Sequence, residues 1–138
     1  MIETRDLLSP FFRVSYIPHY YGDYVRQLFL ASAILSAVAI PIWGDLIPFG
    51  TLFQITCSVV LVVLAGLMNP RSKLLMLSCI IFSTLGILVL ENAAISLYSV
   101  QSFALFVVRE ITTLLLVFAL YFSVKTFRAM SLEIIGKV

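Results

Sequence analysis

Apolar residues run along this chain in long blocks broken by short polar punctuation, with no strand-like alternation. The last block, Phe103 to Val124 (FALFVVREITTLLLVFALYFSV), is long enough to cross a bilayer, yet it carries Arg109 and Glu110 side by side in its first third. A charge at the centre of the hydrocarbon costs about 2.5–3.5 kcal/mol on insertion scales, and less toward an interface. That cost asks for partners on other helices.

Three earlier blocks supply candidates. The first, about residues 25–43, is rich in small side chains: Ser32 with Ser36 and Ala33 with Ala37 are small-xxx-small pairs that let helix backbones approach closely in lipid. Pro41 and Trp43 mark its exit, and Gly44, Asp45 and Pro48 make a turn. The second block, about residues 46–68, has Gln54 as its one strongly polar side chain; Asn69–Pro70–Arg71–Ser72–Lys73 then reverses the chain. The third runs without interruption over residues 74–90, or on to 98 if the helix continues through Glu91 and Asn92. Cys79, Ser83 and Gly86 fall there at i, i+4 and i+7, a narrow face suited to close contact.

The pattern predicts an all-α, polytopic membrane protein of four transmembrane helices in an antiparallel bundle, a transmembrane domain over residues 25–128. An N-terminal arm (residues 1–24) precedes it and a short cytoplasmic tail (residues 129–138) follows. Ser9–Pro10 is a helix start, and Leu7, Leu8, Phe11, Phe12 and Tyr16 interleaved with Arg5, Asp6 and Arg13 suit an amphipathic segment lying in the interface. Tyr20, Tyr21 and Tyr24 extend it into an aromatic belt, with Trp43 as the counterpart at the far end of the first span. MIETRDLLSP lacks the apolar core of a cleavable signal.

Composition agrees with the pattern. The 138 residues are 62% hydrophobic and the mean hydropathy is +1.10, whereas globular domains sit nearer about 45–50% apolar. A formal charge of +2 does not point to nucleic acid. The placement of charge is more telling. Four crossings put Arg5, Arg13, Arg26, Arg71, Lys73, Lys125, Arg128 and Lys137 on one side, and the opposite loops hold Asp45 and the Glu91 region with no Lys or Arg. The positive-inside rule then places both termini in the cytoplasm or its topological equivalent. Arg109 is the one basic residue off that partition.

Depth along ideal helices gathers the polar groups. Glu91 lies about 27 Å from Lys73, Arg109 about 24 Å from Lys125, and Gln54 about 22 Å from Asn69. Gln54, Glu91, Asn92, Arg109 and Glu110 therefore share one layer, in the outer third of a hydrocarbon core about 30 Å thick. The expectation is a Glu91–Arg109 ion pair between helices, completed by Gln54 or Asn92, with Glu110 turned about 100° away toward water, a second copy or another subunit. Snorkelling to the outer headgroups and a working ion or proton site are the competing readings.

Chemistry-bearing motifs are sparse. His19 is the single histidine and lies outside the spans, so neither bis-histidine haem nor a His-rich metal site is expected. CxxC, HExxH, GxGxxG and Walker sequences do not occur. Cys57 and Cys79 would sit at different heights on adjacent helices, too far apart for a disulfide. No catalytic residue and no cofactor is expected. The leading expectation is a small non-catalytic subunit that packs against and stabilises a larger membrane complex, with lipids and other membrane subunits as partners. The alternative is a homo-oligomeric channel, transporter or membrane-permeabilising effector that uses the outer polar layer; a lipid-responsive stress sensor is a third.

Overall fold

The computed structural model describes residues 19–68 and 72–135. The expected interfacial segment with Phe11, Phe12 and Tyr16, the turn residues Asn69–Arg71 and the end of the tail lie outside the described residues. The described residues form four helices, α1 (Gly22–Trp43), α2 (Thr51–Gly66), α3 (Lys73–Ser96) and α4 (Phe103–Ser131), and no strand occurs among them. Three of them, α1, α3 and α4, are long and apolar enough to cross a membrane; α2 is a shorter apolar helix.

Local chemistry sets the boundaries. Ser72 and Ser102 cap α3 and α4, their hydroxyl oxygens accepting from Leu75 N–H (3.2 Å) and Leu105 N–H (3.3 Å). α1 stops after Trp43 because Gly44 adopts φ +98° and returns its N–H to Ala39 C=O at 3.0 Å. α2 starts at Thr51, not at Leu46 as the apolar run implies, since Pro48 and Gly50 (φ +95°) keep the preceding stretch out of helix. Its 16 residues rise about 24 Å, less than a hydrocarbon core of about 30 Å. α3 runs unbroken through Glu91 and Asn92 to Ser96, and α4 continues past Val124 to Ser131, carrying Lys125 and Arg128 on its last turns.

Packing is not cyclic. α1 lies against both α2 and α4, and α4 lies against both α1 and α3, while α2 and α3 scarcely meet. Neighbours run in opposite directions: Tyr21 N–H at the start of α1 donates to Thr126 Oγ1 near the end of α4 (3.1 Å), and Arg109 near the start of α4 reaches Leu46 just beyond the end of α1. The α3–α4 contact is close, for a Cβ on Gly86 would stand 2.8 Å from Leu116 Cδ1.

Polarity is inverted relative to a water-soluble domain. The interior holds Ser32, Gln54, Ser83, Arg109, Ser123 and Thr126, all at most 2% exposed, while Ile34, Leu52, Leu74 and Leu88 are each more than 60% exposed. An outward Leu/Ile/Val surface of this extent, around small and polar interior residues, is the arrangement that lipid solvation favours.

Candidate functional site

The seven residues between α1 and α2 form the organising feature, because they fold inward. Leu46 is buried at 1% exposure although it belongs to a loop. A buried loop needs partners for its backbone, and two side chains supply them. Gln54, one turn into α2 and fully buried, accepts from Leu46 N–H through Oε1 (2.8 Å) and donates through Nε2 to Ser36 C=O on α1 (2.9 Å). Arg109 on α4 donates from Nε to Leu46 C=O (2.8 Å) and from Nη2 to Asp45 C=O (3.1 Å). Its Nη1 donates to Gln101 Oε1, and Gln101 in turn donates to Ala94 C=O near the end of α3 (3.0 Å). One residue of loop backbone is thus held from both ends, and all four helices are tied at this level.

The guanidinium has no carboxylate partner. The ion pair among the described residues is Arg26–Asp23 (3.3 Å), near the start of α1. The expected Glu91–Arg109 pair does not form; each guanidinium nitrogen instead donates to a backbone carbonyl or an amide oxygen, whose dipoles offset its burial. Asp45 contributes its carbonyl, while its carboxylate accepts from Thr51 Oγ1 (2.8 Å). The expected polar layer therefore divides. Gln54 and Arg109 meet inside on Leu46. Glu91 and Glu110 are half-buried and border one hollow on the opposite side of the α3–α4 seam, together with Phe103, Val107 and Leu114. Asn92 is exposed, 100° around α3 from Glu91, and completes nothing in the interior.

Among the small residues named for packing, Ser32, Ala33, Ser36, Cys79 and Ser83 are buried and Gly86 is half-buried. Ala37 departs from the expectation: it is exposed, bordering a shallow groove between α1 and α2, because α1 turns its Ser32–Ser36 side inward. Cys57 and Cys79 are free thiols.

Where α2 and α3 part, a groove of about 250 Å³ opens at the side, with Phe53 and Leu61 on one wall, Phe82 and Leu85 on the other and Thr112 on its floor. Three of its four hydroxyls are occupied. Ser32, Ser58 and Thr112 donate to the carbonyls of Leu28, Gln54 and Val108, each four residues back, so the groove presents apolar walls and spare acceptor lone pairs.

Aromatic residues gather at both ends of the helices. Tyr21 and Tyr24 stack on Phe122 (5.8 and 5.3 Å between centroids), with Lys125 Nζ 4.6 Å from the Tyr21 ring centre. Tyr20 folds back over Gly22, where a Cβ would overlap its hydroxyl. Burial, with a further push from Asp23, raises the Tyr20 phenol from 10.0 to about 12. At the other end Trp43 is exposed, as are Phe49 and Phe53, which meet edge to face at 5.4 Å.

The roles of Leu46 and Gln101 escape sequence reasoning. Leu46 acts through its backbone, which no side-chain pattern reports. Gln101 carried a usable signal: an amide eight residues before a buried arginine, two helical turns away at the mouth of the same helix. No protein-family model, no curated protein and no solved structure matches the chain.

Proposed function

We propose that this chain is an integral membrane protein whose four helices cross the bilayer as an antiparallel bundle, with both termini cytoplasmic and the N-terminal arm on the interface. Within that frame it acts as a small, non-catalytic subunit that packs against a larger membrane assembly and stabilises it. One observation carries the reading: the most costly group in the interior, Arg109, spends its donors on the chain's own backbone and on Gln101. With each of its three nitrogens bonded within the chain, it favours a clamp over a moving charge or a substrate site. The hydroxyls of Ser32, Ser58 and Thr112, bonded back to their own helices, favour the same reading.

The second reading, a homo-oligomeric channel or transporter, draws on Glu91 and Glu110, which border one hollow on the outer surface of α3 and α4. Gentle solubilisation followed by mass measurement of the native particle separates the two. A particle containing other polypeptides is the expected result. A symmetric particle of this chain alone, conducting cations in liposomes in a manner abolished by Glu110→Gln, would replace the subunit reading with the channel.

A further inference from the structure

We infer that the outer face of α4, beside α3, receives a transmembrane helix of a different polypeptide that carries a single arginine or lysine in its outer third. The inference rests on the subunit reading and names the docking face and the chemistry of its occupant.

Shape comes first. Phe103, Val107, Glu110, Leu114 and Val117 follow one another at spacings of 4, 3, 4 and 3 residues along α4. This is the repeat by which one helix seats its side chains against another. None of the five is buried: Phe103, Leu114 and Val117 are exposed, and Val107 and Glu110 half-buried. Together they border a hollow of about 470 Å³ running beside α3. A seam with helix-packing periodicity and no helix upon it fits a helix.

Charge then selects which helix. Glu110 interrupts the seam with a carboxylate, and Glu91 adds a second from α3 across the same hollow. Neither has a cationic partner among the described residues. Arg109, the nearest basic residue in sequence, points to the Leu46 loop. A carboxylate pair at this depth is costly without a counter-charge, and so is a lone basic residue on a partner's transmembrane helix; the two satisfy each other.

Among the described residues, a second copy of this chain offers no free cation at that level. Arg26 is paired with Asp23, Lys73, Lys125 and Arg128 lie at the opposite ends of their helices, and Arg109 is buried. A copy in the same orientation would bring two more carboxylates to the level of the first two. The occupant is therefore a different polypeptide.

The test uses the full chain in phosphatidylcholine vesicles and a labelled leucine–alanine transmembrane peptide with one arginine placed at the level of Glu110. Association is read by energy transfer, with leucine and glutamate versions of the peptide as references. The arginine peptide should bind about tenfold more tightly than the leucine peptide. Glu91→Gln/Glu110→Gln should bring it down to the leucine level, with helical content unchanged by circular dichroism. Equal binding of the arginine and leucine peptides, or a difference that survives the double substitution, overturns the inference. So does transfer between two labelled copies of this chain that depends on the same glutamates. The native particle distinguishes the failures. A mixed particle that stays intact in the double variant removes this docking mode and leaves the subunit reading standing, whereas a wild-type particle of this chain alone removes both.

Discussion

Gln54 and Arg109 hold the same residue from its two ends. Gln54 accepts the amide proton of Leu46 at 2.8 Å, and Arg109 donates to the carbonyl of Leu46 at 2.8 Å. The loop between α1 and α2 can be buried because these two side chains, from different helices, replace the water its backbone would otherwise need.

Their energies should therefore be coupled. Gln54→Leu leaves Leu46 N–H without a partner and removes the second hydrogen bond to Ser36 C=O, and Arg109→Leu strands the carbonyls of Asp45 and Leu46; each should cost about 2–4 kcal/mol. Once one substitution has released the loop, the second has less to lose, so the double variant should be milder than the sum by about 0.5–3 kcal/mol. Arg109→Leu with Glu91→Leu should instead add within about 0.5 kcal/mol, because those side chains share no bond. Thermal unfolding in mild detergent measures both cycles, and strong coupling between Arg109 and Glu91 would reinstate the ion pair.

Lysine should not replace arginine at position 109. The guanidinium reaches three acceptors on two loops with a planar fork, and an ammonium on a flexible stem cannot match that geometry. Arg109→Lys should retain the charge yet lose most of the stability lost in Arg109→Leu. Melting temperatures of the two variants within a few degrees of each other would show it.

Tyr20 should be slow to ionise and should make the fold sensitive to alkali. Its phenol titrates at about 12 in the folded chain against 10.0 for an exposed tyrosine, so the folded state holds its proton over a range where the unfolded chain has lost it. The stabilisation is complete below pH 10 and disappears as pH rises through about 12. Gly22→Ala, which places a methyl group where the Tyr20 hydroxyl lies, should expel the ring and return its titration toward the ordinary value. Ultraviolet tyrosinate absorbance, compared with Tyr20→Phe, isolates this residue.

Gly86→Ala should be nearly neutral despite the tight α3–α4 contact. The added Cβ would meet only the terminal methyl of Leu116, and Leu116 borders the groove between α2 and α3, so it has room to turn. Alanine also improves helix propensity by about 1 kcal/mol. A net change below about 1 kcal/mol is expected, while Gly86→Phe should separate the two helices and cost several times more.

Lengths of apolar blocks are easy to read because solvation in lipid leaves little freedom: the blocks in the sequence correspond to α1, α3, α4 and the shorter α2. The heights of Gln54 and Arg109 followed from counting rise per residue. Their partners did not, because the sequence names side chains while Leu46 and Asp45 act through carbonyl and amide groups. Pairing Arg109 with Glu91 was the natural guess from charge alone; it fails because Arg109 faces the loop after α1 while Glu91 and Glu110 face outward. The later start of α2 was signalled by Pro48 and Gly50, but the apolar character of Leu46 and Ile47 outweighed them. That loop is apolar because it too is buried.

Since α2 and α3 barely touch, α3 has α4 as its principal neighbour, and α4 is synthesised after the other three. Until Phe103–Ser131 has emerged from the ribosome, α3 has no wall to lie on and the arginine that fastens the Leu46 loop does not yet exist. α4 is the keystone of biogenesis: a nascent chain stalled before residue 103 is a helical pair beside a stray third helix, an unfinished intermediate open to misassembly and clearance.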